Sequence, residues 1–201
     1  MTRNIAVVLF DDAEELDFAG PWEVFTMLRH VIDDAPRVFT VSQDGGPVTC
    51  AKGLRVQADH SFDNCPQADV VVIPGGSGTR RERDNATMLD FIRRLDKDAE
   101  VVTSVCTGSF ILASAGLLDG RRATTHWASI GNLQKYENVQ VIDVDRYVDE
   151  GHVVTASGVS AGIDMALYLI GRLWSPKTAR SVQKNMEYFP EPPYQDIPVQ
   201  E

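Results

Sequence analysis

Residues 100–116 read Glu-Val-Val-Thr-Ser-Val-Cys-Thr-Gly-Ser-Phe-Ile-Leu-Ala-Ser-Ala-Gly. The first half is apolar and β-branched, the composition of a buried strand. From Gly108 onward the residues are small or aliphatic, as in a helix packed closely on a sheet. Cys106 falls at the junction, with Ser104 two residues before it and Gly108 two after. A nucleophile elbow needs this spacing, because a sharp strand-to-helix turn admits only small neighbours and lifts its central side chain above the sheet. The helix start behind the cysteine offers free N–H groups and the positive end of a dipole, which favour thiolate over thiol. Free cysteines are commonly plain core residues. The elbow spacing favours a nucleophile, and Cys106 is the candidate.

Outward from that stretch, residues 5–10, 37–42 and 70–73 read as strands, the first and third as continuous apolar runs of the parallel-sheet kind. Residues 139–142, 146–148 and 152–156 are strand-like, and 123–125 form a short strand ending at His126. A hairpin is expected over 48–57, turning at Lys52-Gly53. Helices are expected over 21–30, 84–95, 129–136, 160–174 and 176–188. In the first of these Pro21 suits the opening turn, with Trp22, Phe25 and Leu28 facing inward. The Pro-rich stretch 189–198 is expected to be extended. Strands alternating with helices imply an α/β fold, a mostly parallel sheet with helices on both faces. No internal repeat or linker divides the chain, so residues 1–201 are expected to form one domain.

Composition narrows the function classes. A net charge of −10 over 201 residues argues against nucleic-acid or anionic-membrane partners. The basic cluster Arg80, Arg81 and Arg83 alternates with Glu82 and Asp84, which reads as a solvated loop. No apolar run is long enough to span a bilayer, and the apolar start ends too soon, at Asp11, to be a signal segment. Three widely spaced cysteines point to a reducing, cytoplasmic setting without disulfides.

Ligands of parallel sheets bind beyond the carboxyl ends of the strands. Beyond five expected strands lie residues 11–17, Gly75-Gly76, Cys106-Thr107, His126 and Ser157-Gly158. One site assembled from five loops would hold acids, backbone amides, a thiol and an imidazole. Gly75 and Gly76 suit an oxyanion hole, where bare amides approach a developing charge, or simply a tight turn; the loop alone leaves both open. Their run lacks the third glycine of a dinucleotide fingerprint and the Lys of a P-loop. Asp17 suits helix capping or a carboxyl beside Cys106, where a neighbouring thiolate would keep it protonated and able to act as acid and later base. His126 is either a dyad partner of Cys106 or a structural histidine. Thr107 follows the nucleophile directly, so its amide and hydroxyl are both candidates to face the site. Trp22, Trp127 and Tyr188 are candidate pocket walls, with core packing the default. Cys50 and Cys65 show no ligand spacing, and no metal is expected.

Four segments together carry a resemblance: Val-Ile-Pro-Gly-Gly (72–76), Ser-Val-Cys-Thr-Gly-Ser (104–109), Gly-Leu-Leu-Asp-Gly-Arg-Arg-Ala-Thr-Thr-His-Trp (116–127) and Gly-Val-Ser-Ala-Gly-Ile-Asp (158–164). The chain resembles the PfpI-type branch of the class I glutamine amidotransferase-like superfamily over essentially its whole length. The resemblance implies a flavodoxin-like three-layer sandwich, usually dimeric, with an elbow cysteine as nucleophile. No His-x-Glu pair follows His152, unlike true amidotransferases, and Cys106-Thr107-Gly108 replaces the Cys-His-Gly of PfpI-type proteases and glyoxalases. Cys-Thr-Gly together with Leu-Asp-Phe-Ala-Gly-Pro (16–21) is similar to isocyanide hydratases and to the sensor half of AraC-type regulators. The regulators continue into a helix-turn-helix domain whereas this chain stops at Glu201, and its 186–194 segment is similar to the hydratase ending, so the hydratases are the preferred likeness. That likeness implies Cys106 as nucleophile, Asp17 as acid/base, Thr107 in support, no essential role for His126, no cofactor and a small isocyanide as substrate. Another cysteine enzyme of the glyoxalase or amide hydrolase type, or a thiol-sensing or ligand-binding module, is the alternative.

Overall fold

The computed structural model describes residues 2–193. The strand-like runs in the first half become β1 (Asn4–Val8), β2 (Arg37–Ser42), a hairpin of β3 (Pro47–Thr49) and β4 (Arg55–Gln57), and β6 (Val70–Ile73), with a short additional β5 (His60–Ser61) before β6. In the second half they are β7 (Val101–Val105), β8 (Arg122–Ala123), β9 (Gln140–Val141), β10 (Tyr147–Asp149) and β11 (Val153–Ala156). The helices are α1 (Glu15–Thr26), α2 (Thr79–Glu82), α3 (Ala86–Asp96), α4 (Ser109–Ser114), α5 (Ile130–Leu133), α6 (Ala161–Leu173) and α7 (Pro176–Asn185).

Seven strands form the central sheet in the order β10-β11-β7-β6-β1-β2-β5. All its neighbouring pairs are parallel except β10 with β11. The chain steps from β1 to β2 in one direction and from β6 through β7 to β11 in the other. Right-handed crossovers therefore place α1 on one face and α3 and α4 on the opposite one. The packing agrees: α1 lies on α6 and α6 on α7, while α3 lies on α4. This is the expected flavodoxin-like three-layer α/β sandwich, and the direction of winding reverses between β1 and β6, where such sheets bind ligands.

The middle strands are apolar throughout because both their faces are covered. Ile5, Val70 and Val101 stand in register across β1, β6 and β7, and none is exposed. Phe25 of α1, Phe110 and Ile111 of α4, and Met165 and Leu169 of α6 close over them from the helical layers. Full burial of each such side chain stabilises the fold by about 1.5–3 kcal/mol before entropy is counted.

Several boundaries depart from the sequence expectation. The first helix starts at Glu15, six residues before Pro21, with Glu14 in extended backbone at the N-cap position, its side chain making no capping bond, and the acidic Glu15 and Asp17 in the first turn. Pro21 is consequently interior and leaves the Asp17 carbonyl without its helical N–H. Trp22 is only half-buried, whereas Phe25 and Leu28 face inward as expected. The strand before His126 does not join the central sheet: β8 pairs with β9 in a separate two-stranded ribbon. The expected 129–136 helix shrinks to a 3-10 turn, Trp127–Ser129, and the single turn of α5. Neither α2 nor β5 was expected. Of the stretch 189–198, residues from 194 onward lie outside the described ones, and 189–192 adopt no regular helix or strand.

Candidate active site

The 100–116 segment folds as β7, a 3-10 turn over Cys106–Gly108, and α4. Cys106 has φ +55°, a left-handed conformation costing a non-glycine residue about 1–3 kcal/mol. Three bonds hold it there: its N–H donates to the Ser157 carbonyl at 2.8 Å, and its carbonyl accepts from the Thr125 hydroxyl at 2.9 Å and the Ser109 hydroxyl at 3.2 Å. Gly108 permits the tight turn, since a Cβ there would lie 2.4 Å from the Ile73 carbonyl oxygen. Sharp turn, strained centre and small flank together form the elbow.

Cys106 faces a pocket of about 340 Å³ shared with Thr107, Glu14, Arg80, His126 and Asn132. A larger cavity, about 540 Å³, lies between β2, the β3–β4 hairpin and α2 and contains no cysteine. Contrary to the thiolate expected from the helix start, burial and then the nearby Asp17 carboxylate push the Cys106 thiol up to about 12. The Thr107 and Val159 amides and the Thr107 hydroxyl oppose that rise without cancelling it. The segment behind the sulfur is one 3-10 turn and a six-residue helix, too little dipole to outweigh desolvation.

Asp17 is fully buried in the first turn of α1. Its Oδ2 accepts the Gly75 N–H at 2.9 Å, and no donor among the described residues reaches Oδ1 in hydrogen-bonding geometry. Burial raises its pKa from 3.8 to about 7; the Gly75 amide opposes this, Glu14 adds to it, and the Cys106 thiol beside the carboxyl lowers it. The folded chain therefore binds this proton more tightly than the unfolded chain. The resulting stability is full below 3.8 and is lost as pH rises toward about 7. Asp17→Asn, which has no charge to bury, is expected to melt above the parent at pH 8 by a few kcal/mol of stability, with the gap closing toward pH 5. Melting curves at the two pH values measure it; a variant less stable at pH 8 contradicts the burial argument.

The two loop glycines are spoken for. Gly75 N–H holds Asp17, and Gly76 N–H donates to the Thr107 hydroxyl at 3.0 Å. Their amides thus orient the site's side chains, and an oxyanion use would compete with those bonds. A Cβ on Gly75 would meet the Thr107 nitrogen at 2.6 Å, Asp17 Oδ2 at 2.7 Å and Cys106 Cβ at 2.8 Å. Cys106 and the Asp17 carboxyl therefore close around Gly75 too tightly to admit even a methyl group. Gly75→Ala is expected to cost about 1–3 kcal/mol of stability and to disturb the Asp17–Cys106 spacing; denaturant unfolding checks the first, and an unchanged midpoint would refute the contact.

Thr107 also accepts from the Thr79 hydroxyl at 3.1 Å and donates to the Gly76 carbonyl at 3.1 Å, tying the elbow to the glycine loop. His126 makes no hydrogen bond to Cys106. Its Nδ1 accepts the Ala128 N–H at 3.2 Å, capping the 3-10 turn, while its ring rests on Gly158, where a Cβ would come within 2.7 Å of Cδ2. Gly158 thus seats the imidazole and lines the neighbouring cavity rather than the sulfur's pocket. Trp127 is 79% exposed, and Tyr188 donates to Asp164; neither walls the pocket of Cys106. Val159, Thr79 and Arg80 were not singled out for the site by the sequence. Val159 contributes its backbone amide, which any residue carries, so no side-chain signal marked it.

Fold and site together define an α/β sandwich with a cysteine elbow and a buried acid from the first turn of α1. The chain belongs to the DJ-1/PfpI family, whose model matches residues 3–172. It is similar to an isonitrile hydratase from Pseudomonas putida, 41% identical over 194 residues, which cover 96% of this chain and 82% of that protein. It is also similar to the HTH-type transcriptional regulator CdhR of Pseudomonas aeruginosa, 29% identical over 92% of this chain but only 54% of the regulator. A crystal structure of a THiJ/PfpI family protein from Pseudomonas syringae superposes with a TM-score of 0.88 at 31% identity, covering 97% of this chain and 78% of that one. The PfpI-type likeness read from the sequence is borne out.

Proposed function

We propose that the chain is an isocyanide hydratase, converting R–N≡C and water to the N-substituted formamide. The observation that carries this is the buried Asp17 carboxyl beside the elbow thiol, with Oδ1 lacking a hydrogen-bond donor among the described residues. The likeness to the Pseudomonas putida isonitrile hydratase supports the substrate class.

The pair carries one proton between its two pKa values, as carboxylate and thiol. As the sulfur bonds to the terminal isocyanide carbon, its proton passes to Asp17 and from there to that carbon, leaving the thioimidate R–N=CH–S–Cys106. Asp17, again a carboxylate, takes a proton from water as the hydroxyl adds to the same carbon, and returns it to nitrogen. The adduct R–NH–CH(OH)–S–Cys106 then expels sulfur; the hydroxyl proton moves through Asp17 to the thiolate, and R–NH–CHO leaves. Atoms and protons balance as isocyanide plus water.

One carboxyl serves every transfer, which suits a group whose proton affinity burial has moved to about 7. Thr107 and Gly75 hold the elbow and Asp17 in register, and His126, bonded elsewhere, is not needed. The test is incubation with a simple alkyl isocyanide: formamide should accumulate, and intact-mass analysis should catch a covalent adduct on Cys106. Lactate from methylglyoxal without isocyanide turnover would instead favour a glyoxalase.

A further inference from the structure

We propose that the pocket is built for an isocyanide whose substituent ends in a carboxylate, with Arg80 as its anchor. This deepens the hydratase reading and rests on it for the reacting group. The polar groups that share the pocket with Cys106, and the bonds each already makes, select that substituent.

Arg80, on α2, lines the same pocket as Cys106, and its Nη1 donates to the Gly76 carbonyl at 3.0 Å. That bond ties the guanidinium to the loop packed against the elbow. Its neighbours in the basic cluster are neutralised: Arg81 pairs with Asp12 and Glu82, and Arg83 with Asp84. No carboxylate pairs with Arg80 among the described residues. Arg80 and Arg81 are exposed, as the reading of a solvated cluster expects, though they lie on the short helix α2 rather than in a loop. What sets Arg80 apart is that its fork, unpaired with a carboxylate, keeps donors for a bidentate acceptor.

The other polar groups of the pocket point to the same ligand. Asn132 spends its Oδ1 on Lys135 Nζ at 2.9 Å, which leaves its NH2 as the available function. His126 spends Nδ1 on the Ala128 amide, which leaves Nε2 as the ring's remaining polar atom and puts the hydrogen there. Glu14 is the one carboxylate in the lining, and it is paired with Lys52. A hydrocarbon substituent would strip water from these donors and return nothing, whereas a carboxylate satisfies them. The chain's net charge of −10 repels anions at long range, so an anionic substrate needs a local cation at the nucleophile.

The experiment compares isocyanoacetate with its methyl ester by the ratio of their kcat/KM values, in the parent, Arg80→Gln and Arg80→Lys. The parent is expected to favour the carboxylate by about tenfold or more, Arg80→Gln to bring the ratio near one, and Arg80→Lys to fall between. A parent ratio at or below one overturns the proposal. So does a ratio that survives in Arg80→Gln while both rates fall, since that marks a structural role. If neither compound is turned over, the hydratase reading fails on its own, and binding decides the anion site. Calorimetry with N-formylglycine against its methyl ester should then show tighter binding of the acid, lost in Arg80→Gln; equal binding overturns the anchor.

Discussion

Cys106→Ser should fold normally and produce no formamide, with turnover down by about four orders of magnitude or more. Serine is nearly isosteric, and the bonds holding the elbow run through backbone atoms that it retains. The loss is chemical. A hydroxyl is far less acidic than a thiol, and Asp17, with its pKa near 7, is too weak a base to generate an alkoxide. The terminal isocyanide carbon also prefers a soft, polarisable sulfur. Full-progress assays with an alkyl isocyanide, paired with intact-mass spectra, read both the rate and the adduct. Turnover retained in the variant would sink the covalent route outright; loss of turnover accompanied by a collapsed melting curve would call for Cys106→Ala as the second variant.

Asp17→Asn should lower kcat/KM by about 10²–10⁴ and remove a rising pH limb centred near 7. In the parent, below that pH, carboxyl and thiol are both protonated and nothing accepts the thiol proton as sulfur attacks. As pH rises through about 7 the carboxyl ionises first, because the thiol lies higher, at about 12. Activity therefore climbs through neutrality and holds over a wide alkaline range. Asparagine keeps an acceptor oxygen for the Gly75 amide but carries no transferable proton, so residual turnover should vary little near pH 7. A persisting limb at the same pH in the variant would assign it to some other group. The stability gain expected for this substitution above neutrality runs opposite to the activity loss, which separates a functional carboxyl from one that merely holds the fold.

The thiolate premise marks where local reasoning stopped short. Elbow spacing and a helix start argue for a depressed thiol pKa only if the sulfur stays wet. Here β7 is buried on both sides, Cys106 is 7% exposed, and Asp17 brings negative charge beside it. Desolvation and like charge both favour the proton, and they depend on neighbours distant in the chain. The same distance explains the glycines. Nothing in Gly75-Gly76 announces that one amide will bind Asp17 and the other Thr107.

Helix boundaries show a milder version. Pro21 is well suited to an opening turn, yet α1 begins at Glu15, since the loop after β1 bridges back to the glycine loop: Glu14 N–H donates to the Gly75 carbonyl at 2.9 Å. That contact carries the helix start to the site and lands Asp17 inside it. The strand expected over 123–125 overlaps β8, Arg122–Ala123, at one residue, and its place outside the main sheet was not legible, because two residues pair equally well with any exposed edge.

What the chain's local pattern determines by itself is the parallel α/β architecture, the elbow at Cys106, and the loops that meet above it, because apolar runs, turn residues and small-residue spacing act over a few neighbouring positions. Tertiary structure alone decides which amide serves which side chain, where the shared proton sits between Asp17 and Cys106, and which arginine of three is left facing the pocket. Those outcomes follow from desolvation and pairing between segments dozens of residues apart, and no local pattern encodes the dielectric that a side chain will meet once the layers close.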